Sequence, residues 1–424
     1  MRFKKLIIFI IEFILLFLLF SSCSSFASDT LTLDLSAESA ILIDSSTGQI
    51  LYSKNEKEQR YPASTTKILT AILAIENCCL DEKVTASYNA VMSIPSGYSN
   101  AEIRVGESLT VKELLEVFLV HSANEAGYIL AEHVSGTVSD FADLMNAKAS
   151  ELGCNNTHFT NPSGLHDKNH YTTAYDLSII AKYCMQNATF RSIVSMPSCT
   201  ILATDKHEQR YFLNTNDMLN SKSKYYDEYV IGIKTGFTSQ AKNCLISGYK
   251  KDGIELISVI LGAPQNASNG LSGKFTDTKT LFDYGMNNFS NKTIASKAQV
   301  ITQVKIEHAT ADTQNLDLIL ENDITALVSN SKDLSSLESE IKLNENLSAP
   351  IAENTVLGTI TYTIDGISYT ENLVSSHSVK ASTLFEIILK LIFAIIILFI
   401  VYELMYPKKK KKTRKKYLYG RVKY

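Results

Sequence analysis

The sequence predicts an α+β body over residues 28–289, then a small β-rich domain over 290–380 and one apolar helix over 384–405. Strand hairpins at Ala40–Tyr52 and Cys244–Leu261 bracket a middle whose apolar residues recur at helical spacing, the pattern of an antiparallel sheet flanked by helices. Past residue 299 the alternation has period two, and past 384 it gives way to a nearly continuous apolar run. With 45% hydrophobic and 20% charged residues, the 424-residue chain is long enough for two or three folded domains.

The net charge of -3 hides a strong segregation. Ten Lys or Arg and no acid lie between Tyr406 and Tyr424, while Arg2, Lys4 and Lys5 stand against Glu12 in residues 1–27. Taking +10 and +2 away leaves -15 on residues 28–405, which argues against nucleic acid as a partner. Arg2, Lys4 and Lys5 precede the apolar run Leu6–Phe20, and Ser25-Phe26-Ala27 offers small residues where a signal peptidase reads. Residues 1–27 therefore read as a secretory signal peptide; lipidation of Cys23 is the rival, which the bulky Phe20 fits poorly. At the other end, Leu384–Met405 is apolar apart from Glu386, Lys390 and Glu403, and the cluster Lys408–Lys412 follows. The positive-inside rule keeps residues 406–424 cytoplasmic and the body outside, as a single-pass cell-membrane protein. The uncharged centre Leu391–Tyr402 is short for a span, so a helix lying on the membrane is the alternative.

Taken in order, Ala40–Asp44 and Gln49–Tyr52 are strands joined by a turn at Ser45-Ser46-Thr47-Gly48. A helix follows from about Ser64, where Ile68, Leu69, Ile72, Leu73 and Ile75 repeat at its spacing. Thr110, three residues before Glu113, is a capping-box signature for another helix, which delivers Val117–Val120 to His121-Ser122-Ala123-Asn124. Asn161-Pro162-Ser163-Gly164-Leu165 is a turn cluster, and a helix begins at Thr172 and runs to about Met185. Tyr229-Val230-Ile231 leads an extended segment through Lys234, and the next hairpin turns at Lys251-Asp252-Gly253. A helical pattern from Thr276 to Phe289 closes the body, and Gln299–Ile306, Leu316–Leu320 and Gly358–Thr363 are strands of the second domain. The six cysteines after Cys23 form no C-x-x-C and have no histidines at zinc spacing. Mostly free, buried thiols are expected, with Cys78 and Cys79 at a buried helix end, and the chemistry is expected to need neither metal nor cofactor. His166 and His170, four apart without a third ligand, read as loop histidines.

Three short constellations carry chemistry. In Pro62-Ala63-Ser64-Thr65-Thr66-Lys67 a serine and a lysine stand one helical turn apart. A serine hydroxyl is a weak nucleophile at its free pKa, and a lysine buried beside other cations can lose its proton near neutral pH and activate it. Ser-x-x-Lys alone arises by chance roughly two or three times in such a chain, and an isolated copy is an N-cap followed by a solvated lysine. In Ser122-Ala123-Asn124 a hydroxyl can relay a proton while the carboxamide holds a substrate amide, although alone it reads as a loop or helix cap. In Gly232–Thr238, Lys234, Thr235 and the bare backbone of Gly236 are the parts that hold a carboxylate and an oxyanion. Lys-Thr-Gly arises by chance in about one chain in ten, which makes it the most informative single motif. On a sheet edge its backbone donors would be free to bind an extended peptide.

In this order the three resemble the motif set of penicillin-binding proteins and class A β-lactamases. With Ser39–Gly48, Asn161–Leu165 and His170-Tyr171, the chain more closely resembles the low-molecular-mass penicillin-binding proteins that are D-alanyl-D-alanine carboxypeptidases. The resemblance covers about Leu31–Phe289, and the β domain and C-terminal anchor fit the same architecture. It implies a β-lactamase/transpeptidase-like fold, an antiparallel sheet flanked by helices plus an all-helical subdomain. It also implies roles. Ser64 attacks between the two D-alanines of a peptidoglycan stem peptide, with Lys67 as base. Ser122 passes a proton to the leaving amine, Asn124 holds the substrate backbone, and Lys234 with Thr235 binds the terminal carboxylate. The N–H groups of Ser64 and Phe237 form the oxyanion hole, with Gly236 beside Phe237 in the substrate-binding strand. Penicillins mimic the dipeptide, so β-lactam antibiotics are expected to acylate Ser64. Ala123 departs from the glycine or aspartate of several members, at a position without a role. Three rivals stand beside this reading. A D,D-endopeptidase of cross-links shares the chemistry, since the motifs do not fix the leaving side. A class A β-lactamase needs a deacylating glutamate, whose spacing Glu151 and Asn155 supply, although Gly153 between them suggests a helix end. A non-catalytic wall-binding protein has no need of Lys67 beside Ser64.

Overall fold

The computed structural model describes residues 33–265 and 271–406; the expected signal peptide, Cys23 and the basic tail after Tyr406 lie outside them. Strands β1 (Ser39–Asp44) and β2 (Ile50–Lys54) form the expected hairpin. Much later in the chain come β7 (Val230–Thr238), β8 (Lys242–Lys251) and β9 (Ile254–Ala263), and together the five make one antiparallel sheet in the order β2-β1-β9-β8-β7. Both faces of its centre are covered, which is why β1 reads as an unbroken apolar run. Ile41 and Ile43 enter the core on one face with Ile257, Val259 and Leu261, while Ala40 and Leu42 enter the other with Leu256 and Ile260. Two short ribbons, β3 (Lys83–Thr85) with β4 (Ser108–Thr110) and β5 (Ser198–Ile201) with β6 (Arg210–Leu213), decorate the body.

Helices α1 (Lys67–Asn77), α2 (Tyr88–Met92), α3 (Val111–Glu116), α4 (Asn124–Ser135), α5 (Val138–Glu151), α6 (Ala174–Met185) and α7 (Ala188–Val194) supply the first core. The other face is closed by α8 (Gly273–Asn288), which starts three residues before its expected position and buries Phe275, Leu281 and Phe282. In α1 every residue from Lys67 to Ala74 is buried, because the helix runs through the subdomain against α4 and α6 rather than over its surface. Its helical pattern was expected from Ser64; instead Ala63–Thr66 is a 3-10 turn and the α-helix begins at Lys67. The capping box forms as expected: Thr110 accepts from the Glu113 amide and Glu113 from the Thr110 amide. A π-helical turn, Val117–His121, extends α3 and ends at Ser122, whose φ of 70° is left-handed.

The second domain pairs β10 (Phe289–Ala295) with β13 (Ile324–Ser329). Its larger sheet has the order β11-β12-β16-β15-β14, from β11 (Val300–Lys305), β12 (Asn315–Leu320), β14 (Ser339–Leu343), β15 (Val356–Ile364) and β16 (Ile367–Ser375). It touches the body where Gln49 Nε2 donates to Asp365 Oδ2 at 3.3 Å and Asn291 Nδ2 to the Gly253 carbonyl at 3.3 Å. Helix α9 (Thr383–Met405) buries none of its residues and has an 18-residue window of mean hydropathy 3.0. Its 23 residues rise about 34 Å, long enough for a hydrocarbon core of about 30 Å. The six cysteines of the described residues are free. Cys154, Cys184, Cys199 and Cys244 are buried, but Cys79 is exposed and Cys78 half-buried, so that end of α1 lies at the surface rather than in the core.

Candidate active site

The turn that carries Ser64 is held from three sides. Ala63 adopts a left-handed φ of 48°, which an alanine adopts only under constraint. Thr65 Oγ1 donates to the Pro62 carbonyl at 2.7 Å and Thr66 Oγ1 to the Ala63 carbonyl at 2.9 Å. His170 Nδ1 accepts from the Thr160 amide at 3.1 Å, which leaves the ring proton on Nε2 to donate to Thr66 Oγ1 at 2.8 Å. Burial pushes the His170 pKa down to about 3, so the ring is neutral. Gly164, at a φ of 81°, lies so close that a Cβ there would stand 1.8 Å from the Ala63 carbonyl oxygen. Its loop is fastened by Asn161 Oδ1, which accepts from the amides of Ser163, Gly164 and Leu165.

Lys67 is completely buried, and its Nζ has three neighbours: Ser64 Oγ at 2.9 Å, Asn124 Oδ1 at 2.7 Å and the Ser163 carbonyl at 2.8 Å. None is a carboxylate. Asn124 Nδ2 donates to the Ser99 carbonyl at 2.8 Å, which fixes Oδ1 toward the lysine. Asn124 Oδ1 and the Ser163 carbonyl only accept, so each takes an N–H, and a neutral amine then turns its lone pair toward Ser64 Oγ. Burial drives the Lys67 pKa well below the usual lysine range, the charge of Lys234 adds to this, and Glu125 opposes it. Glu125 is itself buried, with Oε1 accepting from the amides of Ala101 and Ile103 at 2.5 and 3.4 Å. Burial raises its pKa in turn.

Strand β7, paired only with β8, is the sheet edge and forms the opposite wall. Lys234 is buried with Nζ donating to the Thr235 carbonyl at 3.1 Å, and burial followed by the charge of Lys274 lowers its pKa to about 7. Thr235 Oγ1 lies 2.6 Å from Thr215 Oγ1. At Gly236 a Cβ would stand 3.0 Å from the Ser64 amide nitrogen and 3.1 Å from the Pro62 carbonyl. A bare backbone therefore lets the strand lie against the nucleophile turn, with Phe237 next along it. Between these walls opens a cleft of about 590 Å³, lined among others by Ser64, Ser122, Thr235, Gly236, Phe237 and Lys274. The eight residues singled out from sequence thus gather around one cleft, with Lys67, Asn124 and Lys234 buried in its wall.

Several groups of the site were not among the residues assigned a chemical role from sequence. Lys274, at the start of α8, lies in an unremarkable Gly-Lys-Phe context, and burial lowers its pKa against the pull of Asp217. The Ser163 carbonyl is a backbone group that only the turn cluster hinted at. His166 lines the cleft and meets the Tyr61 ring edge-on at 4.7 Å. His170 is a loop histidine, as expected, but a buried one: it is 2% exposed, because the loop folds inward onto the nucleophile turn. Glu151, by contrast, ends α5 with its carboxylate 3.1 Å from Lys148 at the surface, away from the cleft residues.

Residues 25–265 match the family model described as D-alanyl-D-alanine carboxypeptidase, and residues 289–381 that of the penicillin-binding protein 5 C-terminal domain. D-alanyl-D-alanine carboxypeptidase DacF of Bacillus subtilis is 32% identical over 347 residues, which is 80% of this chain and 85% of that protein. A crystal structure of PBP3 from Streptococcus pneumoniae, titled a peptidoglycan synthesis regulatory factor, superposes with a TM-score of 0.69 at 25% identity, covering 82% of this chain and all of that one. Penicillin binding protein 5 from Haemophilus influenzae gives a TM-score of 0.63 at 28% identity, covering 82% of this chain and 99% of that one. The extent of these matches, over a fold with the same catalytic body and β domain, means that the chain belongs to the D-alanyl-D-alanine carboxypeptidase family of low-molecular-mass penicillin-binding proteins.

Proposed function

We propose that the protein is a serine peptidase that removes the terminal D-alanine from peptidoglycan stem peptides through an acyl-enzyme on Ser64. One observation carries this reading: Lys67 Nζ lies 2.9 Å from Ser64 Oγ in a buried setting that disfavours its charge. The neutral amine takes the hydroxyl proton as Oγ attacks the carbonyl between the two D-alanines. The N–H groups of Ser64 and Phe237 stabilise the oxyanion, and the terminal carboxylate rests on Lys234 and Thr235, with Lys274 as a further cation. Asn124 holds the substrate amide, and Ser122 relays the proton from Lys67 to the departing amine as the C–N bond breaks, which leaves Lys67 neutral again. Water, deprotonated by Lys67, then cleaves the ester and restores Ser64.

On this reading residues 28–289 are the catalytic domain, 290–380 the β domain, 384–405 the membrane helix and 406–424 a cytoplasmic tail. The apolarity of α9 and the basic run after it support a single pass with the cleft on the outer side. Ser64→Ala is expected to abolish both D-alanine release from a stem pentapeptide and labelling by a fluorescent penicillin. Retained labelling of this variant would overturn the assignment.

A further inference from the structure

Beyond the end of β7 lies a second cavity, of about 300 Å³, lined among others by Glu38, Arg60, Tyr61, Lys168, Gln240 and Ala241. It adjoins the cleft: Gln240 lines both, and Tyr61 on its wall packs against His166 of the cleft. Its place follows the path of the peptide. With the terminal carboxylate at Lys234 and Thr235 and the scissile carbonyl at the Phe237 amide, the rest of the substrate runs antiparallel to β7 over Thr238, Ser239 and Gln240. An extended chain advances about 3.4 Å per residue, so the second and third residues of a stem arrive at the mouth of this cavity.

Its charges are nearly balanced, save one. Glu38 lies 2.5 Å from Lys242 and 3.5 Å from Arg60, and Arg60 is 2.5 Å from Glu58. Asp167 turns its carboxylate to the Asn169 amide at 2.7 Å. Lys168 is exposed and, among the described residues, forms no ion pair. Of the charged residues that line the cavity, Glu38 and Arg60 pair with each other, so an entering group meets Lys168 as the one lining charge outside an ion pair, with the Asp167 carboxylate next to it in the chain.

We propose that this cavity is a stem-side subsite for a substrate carboxylate upstream of the scissile bond, with Lys168 as its counter-charge. The proposal rests on the carboxypeptidase reading. Two groups of a stem present this chemistry: the side-chain carboxylate of a diamino-dicarboxylic third residue, and the α-carboxylate that a γ-linked second residue leaves free. A third residue ending in a plain ammonium offers nothing that Lys168 attracts.

The test uses the full chain in detergent and three pentapeptide stems: both carboxylates free, the third-residue carboxylate amidated, and the second-residue carboxylate amidated. In the wild type, one of the two amidations is expected to lower kcat/KM for D-alanine release about fivefold, the size of one partly exposed ion pair, and so to identify the source. Lys168→Glu is expected to lower turnover of the free-acid stem to that level and erase the difference between the peptides, and Lys168→Gln to give a smaller loss in the same direction. Penicillin acylation, which involves no upstream stem residue, is expected to be unchanged in both variants and shows that they are folded. Equal turnover of all three stems by the wild type, or a preference that survives in Lys168→Glu, overturns the subsite while leaving the carboxypeptidase reading intact. Failure of the wild type to release D-alanine from any stem overturns both.

Discussion

The cleft and the C-terminal β domain follow opposite rules. In β12 the leucines at 316, 318 and 320 enter the core on alternate positions, while Asp317 between them accepts from Gln303 at the surface. The left-handed non-glycine residues of that domain are His308, Asn346, Asn354 and Asp365, types that adopt this conformation readily, and Ala298 in an exposed turn. Around the cleft, two lysines are buried without a carboxylate partner, Glu125 keeps one buried oxygen unbonded, and the left-handed residues are Ala63 and Ser122. Such arrangements cost free energy and persist only where the surroundings over-determine them. The contrast teaches that the costliest departure, lysines buried without a carboxylate partner, sits where a proton has to move.

Substitutions at matched positions sharpen that contrast. Gly164 and Gly366 have nearly the same φ, 81° and 80°, but a Cβ at Gly164 would collide with the Ala63 carbonyl whereas nothing lies within 4 Å at Gly366. Gly164→Ala is expected to displace the nucleophile turn and lower the penicillin acylation rate about 100-fold, the scale of a small misplacement of reacting groups. Equal acylation by this variant would show that the turn is not positioned by its neighbour.

The next effect is on pH dependence. Acylation is expected to fall with acid as Lys67 takes up a proton, and peptide turnover to fall on the alkaline side as Lys234 loses the charge that binds a carboxylate. Lys234→Arg, whose guanidinium does not titrate in this range, is expected to move the alkaline limb upward and leave the acid limb in place. Stability carries the same signature. Folded Lys234 releases its proton at about 7 whereas an unfolded lysine keeps it to 10.5, so the unfolded chain binds more protons between these values and stability rises with pH across that window. A denaturation series that showed stability level or falling there would break the claim.

The smallest effect is expected in the ordinary region. Gly366→Ala adds only backbone strain, about 1 kcal/mol of stability, with penicillin acylation unchanged.

Much of the fold was legible because its signals are local. The Thr110–Glu113 capping box, the two hairpins of the main sheet and the chemistry-bearing motifs each lie within a few residues of chain. What escaped is tertiary. Strand β14 is exposed along its whole length and carries Glu340 and Lys342, so no buried face marks it, and β10 and β16 are too polar to stand out from loops. The helix after Ser64 begins later than its apolar spacing suggests, because the left-handed Ala63 tightens the entry into a 3-10 turn. His170, Lys274 and the Ser163 carbonyl reach the site across loops; the blocks around Ser163 and His170 carried the resemblance but no contact, and nothing in the context of Lys274 announces a partner far away in the chain.

The central claim is that Lys67 is a neutral amine beside Ser64. The most direct measurement is an NMR titration of lysines labelled at Nζ, with the Lys67 resonance assigned by its loss in Lys67→Met. The expected result is an amine that titrates well below 10.5. A Lys67 resonance that keeps its proton up to the ordinary lysine value would contradict the account.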